Sequence, residues 1–172
     1  MKRDRIQWNA SGDVVESART VLPLMARDLF RAGREVTAGK AKVKDLHAFR
    51  LHVKRFRYTL ELFQPLYGSA LEKRLASLRQ LQGHLGKMQD CSAARDLVLA
   101  IRRRNKKTPK VKRVLKLLDS LERDRVGKSL EYWRETFDSP DEVDRWVRYL
   151  HHYAGRCGTA GTGDAAKEAP DA

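Results

Sequence analysis

His47, Arg50, Lys54, Arg57 and Tyr58 follow one another at spacings of three, four, three and one residues. On a helix, side chains three or four apart lie one above the other, so these residues form a ladder of cationic donors with a phenol beside it. Like charges at that spacing destabilise an isolated helix by about 0.2–0.5 kcal/mol per pair. The acid on the same arc is Glu61, at its far end. The row therefore calls for an anion or for a buried acidic partner. Arginine offers a planar fork that engages two phosphate oxygens at once, lysine a compact mobile charge, and histidine and tyrosine directional hydrogen bonds. One helical turn advances about 5.4 Å, so a linear phosphate chain meets a cation at each turn. The alternative is a solvated helix face, which the ladder alone does not exclude.

The element that must carry this ladder has the strongest apolar period in the chain. Phe49, Val53, Phe56, Leu60, Phe63 and Tyr67 fall on one side of a helix predicted from Leu46 to Tyr67, with Gly68 ending it. Before it, Asp13 followed by Glu16 predicts a capped start to a first helix through Val14, Ala18, Val21, Leu22, Met25 and Leu29. Pro23 is expected to kink or restart that helix. Gly33 and Gly39 are read as bracketing a basic connection with Lys40, Lys42 and Lys44.

Leu71, Leu75, Leu78, Leu81, Leu85 and Met88 trace a third helix, and Cys91 to Arg104 a fourth, with Ala94, Leu97, Val98 and Ile101 facing inward. Arg102, Arg103 and Arg104 suit the negative end of its dipole. Thr108 and Pro109 open a fifth helix that runs to Phe137, weakened at Gly127 by about 1 kcal/mol relative to alanine. Ser139, Pro140 and Glu142 read as a capping box launching a sixth, with Val143, Trp146, Val147, Leu150 and Tyr153 on one face. No stretch alternates with period two. The expected fold is all-α, an antiparallel helical bundle of about five to six helices spanning residues 14–154. Residues 1–13 are a polar N-terminal segment, and 155–172 lack any periodic pattern and are expected to be a disordered tail.

A chain of 172 residues suits one core. Its 36 Lys and Arg against 22 Asp and Glu give a net charge of +14, which favours anionic partners. Cys91 and Cys157 have no metal-ligand or disulfide spacing and fit a reducing compartment. With no apolar run of a signal peptide and none of about 18 residues to span a bilayer, a cytoplasmic location without membrane contact is expected.

Two runs carry a family resemblance. Leu46-His47-Ala48-Phe49-Arg50 with Lys54-Arg55-Phe56-Arg57-Tyr58-Thr59-Leu60-Glu61, and then Leu78-Arg79-Gln80-Leu81-Gln82-Gly83-His84-Leu85-Gly86 with Asp90, closely resemble the CHAD domain, a helical domain named for a characteristic histidine. The resemblance covers roughly residues 14 to 137. It implies a module that binds inorganic polyphosphate in a positively charged groove or pore rather than a catalyst, in the cytoplasm and on polyphosphate granules. Carried over by position, the binding residues are His47, Arg50, Lys54, Arg55, Arg57, Tyr58 and Arg79, with Arg55 pointing off the main arc. Arg79 and Gln82 share a helix face with Gly86, whose smooth side is expected to pack closely beside the basic ridge.

The family commonly carries two such halves in one chain, and this chain has one, resembling the second. Gly83 stands where the family often has an acid, and Gln89 where the first-half motif places arginine. The expectation that follows is a homodimer about a two-fold axis that rebuilds the pore. No catalytic residue, metal ligand or cofactor is assigned. No nucleophile triad, HExxH, P-loop or dinucleotide motif is present, and adjacent His151 and His152 point apart. His52 and His84 lie off the stripe, and Asp90 and Asp96 are too far from the ridge to assign to it. Two other readings compete with polyphosphate binding. One is a nucleic-acid-binding helical protein, whose affinity is also dominated by phosphate. The other is an assembly protein that uses Trp133, Trp146 and Tyr153 as a contact surface.

Overall fold

The computed structural model describes residues 12–39, 43–104 and 111–155. The expected helix start at Thr108-Pro109, Cys157 and nearly all of the two terminal segments lie outside the described residues. The described chain forms α1 (Val14–Ala38), α2 (Val43–Leu62), a one-turn α3 (Gln64–Tyr67) followed by a 3-10 turn (Gly68–Leu71), α4 (Glu72–Arg104), α5 (Val111–Phe137) and α6 (Glu142–His152). It has no strand among the described residues, and the fold is the all-α bundle that the periodicity predicts.

The buried surface is the set of stripes legible in the sequence. Phe49, Val53, Phe56 and Leu60 of α2 and Leu75, Leu78, Leu81, Leu85 and Met88 of α4 are all buried, together with Leu22, Leu29 and Phe30 of α1. Burying a large aliphatic or aromatic side chain stabilises by about 1.5–3 kcal/mol, so these stripes fix which face of each helix turns inward. The helices run antiparallel in packing order α6, α1, α2, α4, α5, and α5 closes back on α1. At that closure Phe30 meets Trp133, Phe137 and Trp146 with ring centroids 5.6, 6.0 and 6.2 Å away. Trp133 and Trp146 are thus core residues, 0% and 2% exposed, which removes them from any contact surface; of that trio Tyr153 alone is open to solvent.

Several local expectations are corrected. Asp13 does cap α1, its carboxylate accepting from the Val15 amide at 3.0 Å. Pro23, however, neither ends nor restarts α1, because buried Leu22, Met25 and Ala26 on either side hold the helix together across the lost backbone bond. Helix α2 stops at Leu62, five residues early, since Pro65 lacks an amide to continue the ladder and instead opens α3. The predicted third and fourth helices are one, because the residues between Met88 and Ser92 include no breaker. Gly127 likewise leaves α5 uninterrupted. Helix α6 begins at Glu142 behind Asp141, and the Ser139 hydroxyl accepts from Arg145 at 2.9 Å instead of capping.

The inward face predicted for the far half of α4 is wrong. Toward its C-terminal end α4 carries large apolar side chains that the described residues leave uncovered: Leu97 is 63% and Ile101 49% exposed, with Val114, Leu117 and Leu121 of α5 exposed as well. From residue 89 to 104 the pair projects as an arm roughly 24 Å long. The Arg95 to Asp119 ion pair, 2.8 Å apart, bridges its two helices.

Gly33 is no connector either. It lies inside α1, and a methyl group there would sit 2.0 Å from the Trp133 ring. Gly33→Ala should therefore destabilise the protein by about 1–3 kcal/mol through overpacking, as read in urea unfolding. Gly127→Ala, whose added methyl meets open space, should stabilise it by about 0.5–1 kcal/mol. Equal stability of the two variants would contradict this packing.

Candidate functional site

Because α2 turns Phe49, Val53, Phe56 and Leu60 inward, its cationic arc faces outward along the edge shared with α4. Two glutamines of α4 cross-link the two helices. His47 Nδ1 lies 2.9 Å from the Gln89 amide oxygen. Ten residues on, Arg57 Nε donates to Gln82 Oε1 at 2.8 Å. Gln82, Gly86 and Gln89 occupy one face of α4, so Gly86 stands between the two bridges and opposite the span that carries Arg50 and Lys54.

The ladder is not uniformly free. Arg57 donates to Glu61 at 2.6 Å and is only 12% exposed. Glu61 also accepts from Arg79 at 3.2 Å, and Arg79 reaches on to Glu72. Hydrogen bonding to Glu72 first, and to Glu61 as well, raises the Arg79 guanidinium above its ordinary pKa. Arg57 and Arg79 therefore form a closed cluster with two carboxylates, so at that end the row of cations is met by acidic partners within the fold. The cause is the α2–α4 packing, which delivers Glu72 and Glu61 to the same place.

The remaining cations are different. Among the described residues no carboxylate lies within ion-pair distance of His47, Arg50 or Lys54. The Nε of Arg50 is buried and has no hydrogen-bond partner, a state that is expensive for a charged donor. Tyr58, 48% exposed, is flanked by Arg57 at 4.0 Å and Lys54 at 5.6 Å from its ring centre, which holds these cations beside the phenol. Arg55 is exposed on another face, as its position in the helix requires, and stands apart from the groove.

Gly86 does not pack closely against the ridge. Nothing lies within 4 Å of the point where its side chain would begin. Gly86 therefore leaves open space on the face of α4 between the two glutamine bridges. The roles of Gln82 and Gln89 escaped the sequence reading, although their i, i+7 spacing with Gly86 at i+4 places them on one face. What was missing was the antiparallel register of α2 and α4, which no local pattern specifies.

The off-stripe histidines have local partners or settings. His84 stacks on Tyr132 at 5.1 Å. His52 lines a cavity of about 330 Å³ with Val36, Asp45 and Phe49. No group of three or more His, Cys, Asp or Glu among the described residues is placed to hold a metal ion, and no described helix is long and apolar enough to cross a membrane.

The fold and these two motifs define a helical module with a basic face along the α2–α4 edge. The CHAD domain family model matches residues 5–99, and the chain belongs to that family. The match takes in α1, α2 and most of α4 and ends well before residue 137, leaving α5 and α6 outside it. No curated protein and no solved structure matches the chain.

Gly86→Ala should raise stability by about 0.5–1 kcal/mol, because it adds helix propensity where there is room for a methyl group. A loss of stability in thermal melts would show that the space at Gly86 is closed.

Proposed function

We propose that this CHAD-domain protein binds inorganic polyphosphate along the groove between α2 and α4, as a binding module without catalytic activity. The observation that carries the reading is that Arg50 and Lys54, beside His47, have no carboxylate within ion-pair distance among the described residues, with the buried Nε of Arg50 lacking any hydrogen-bond partner. A phosphate chain supplies closely spaced oxygens for these donors and needs no sequence readout. Arg57 and Arg79, held by Glu61 and Glu72, act as a rigid end wall and supply less of the binding. Membership of the CHAD family supports polyphosphate over other polyanions. Such binding would place the protein in the cytoplasm, on polyphosphate deposits.

A single groove with one open side suits completion by a second chain. The exposed aliphatic residues of the α4–α5 arm support that reading, since Leu97 and Ile101 continue along α4 from the stretch that borders the groove. A two-fold pair would bring the arms together and face the two grooves across the axis.

Long-chain polyphosphate should bind with affinity that falls steeply as salt rises, and should outcompete DNA and RNA at equal phosphate concentration. Arg50→Ala combined with Lys54→Ala should weaken binding by at least about tenfold, since charge-assisted contacts are the strong ones, whereas Arg79→Ala should weaken it less. Fluorescence anisotropy with labelled polyphosphate reads both. Equal affinity for duplex DNA would instead favour a nucleic-acid-binding protein. No change in the double variant would reject the groove. Sedimentation that finds only monomer at high concentration, with and without polyphosphate, would reject the dimer.

A further inference from the structure

A second cationic cavity lies where α6 meets the start of α4, remote from the groove and sharing no residue with it. Its volume is about 640 Å³, and Arg74, Arg145, Arg148, His152, Tyr149 and Tyr153 line it. That size is ordinary for a small-ligand site. The guanidinium of Arg74 lies 3.7 Å from the centre of the Tyr149 ring, and Tyr149 stacks in turn on Tyr153 at 5.2 Å. Stacking fixes the plane of the guanidinium and leaves its edge for hydrogen bonding.

The charges here are not balanced. Among the described residues Arg74 and Arg148 have no carboxylate within ion-pair distance, and the Nε of Arg74 is buried with no hydrogen-bond partner. Arg148 Nε reaches only the Asp144 backbone carbonyl, at 3.4 Å. Arg145 alone is paired, with Glu142 at 3.3 Å, and Glu142 also accepts from Trp146. Burial pushes the Arg74 guanidinium below its ordinary pKa, against the pull of Tyr149 and Glu142. An incoming anion would offset the cost of that desolvation by pairing with the charge.

We propose that this cavity binds the oligophosphate group of a small ligand, with Arg74 and Arg148 as the principal phosphate contacts, Arg145 and His152 at the rim, and the Tyr149–Tyr153 stack as an aromatic wall. Convergent guanidinium forks match the several oxygens of a di- or triphosphate better than a lone carboxylate. Free pyrophosphate and the triphosphate of a nucleotide share that chemistry, and the aromatic wall is what would tell them apart. Arg74 lies within the stretch that matches the family and the α6 residues lie outside it, and the site shares no residue with the groove.

Calorimetric titration of the full chain with pyrophosphate and with ATP tests it, in a His47→Ala, Arg50→Ala, Lys54→Ala background that disables the groove. Saturable binding should persist there and weaken by about tenfold or more in Arg148→Ala, whose side chain is exposed and whose loss leaves the core intact. Arg74→Ala should weaken it at least as much, with circular dichroism checking that the fold is kept. Tighter binding of ATP than of pyrophosphate would identify a nucleotide as the ligand, and equal or weaker binding a free oligophosphate; both support the site. Absence of binding by either probe, or binding unchanged by Arg148→Ala, would overturn it.

Discussion

The inward rotation of α2 governs what the rest of the molecule can do. Once Phe49, Val53, Phe56 and Leu60 enter the core, the helical period forces Arg50, Lys54 and Arg57 onto one outer arc at spacings where like charges repel. The helix tolerates this because burial of four large side chains stabilises by several times the repulsion of a few exposed pairs. Hydrophobic packing thus imposes an electrostatic arrangement that would not form on its own account, and a ligand anion would relieve it.

The antiparallel pairing with α4 then sorts the cations into two kinds. At one end Glu61 and Glu72 gather Arg57 and Arg79 into a hydrogen-bonded cluster. At the other, Gln89 meets His47 through its amide oxygen, which orients the ring. Between them Arg50 and Lys54 have no carboxylate within ion-pair distance among the described residues. Rigid ends and a middle without ion-pair partners would leave little ordering to be done if an anion bound there.

How much of this was legible in the sequence depends on the range of the interaction. The buried stripes of α2 and of the first half of α4 follow from a 3.6-residue period and appear as read. The end of α2 at Leu62 was signalled by Pro65, yet the apolar period at Phe63 and Tyr67 ran across it and concealed the break. The far half of α4 has the same period at Ala94, Leu97, Val98 and Ile101, but no third helix among the described residues covers Leu97 and Ile101, and amphipathic spacing cannot say whether a covering element exists. Gly33 carried a turn signal and proved to be the notch for Trp133, a residue one hundred positions away. The ladder residues were found from spacing, while their division into paired and unpaired depended on the register of α2 against α4. The cavity beside α6 had no local signature, because Arg74 and Arg148 come from distant segments.

The claim on which all of this turns is that an anion occupies the middle of the α2–α4 groove. Backbone amide chemical-shift mapping during titration with polyphosphate tests it directly. The account predicts that the largest shifts fall at His47, Arg50, Lys54 and Gly86, with smaller ones at Arg79. Shifts confined to other faces of the protein, or spread evenly over its exposed lysines and arginines, would contradict it.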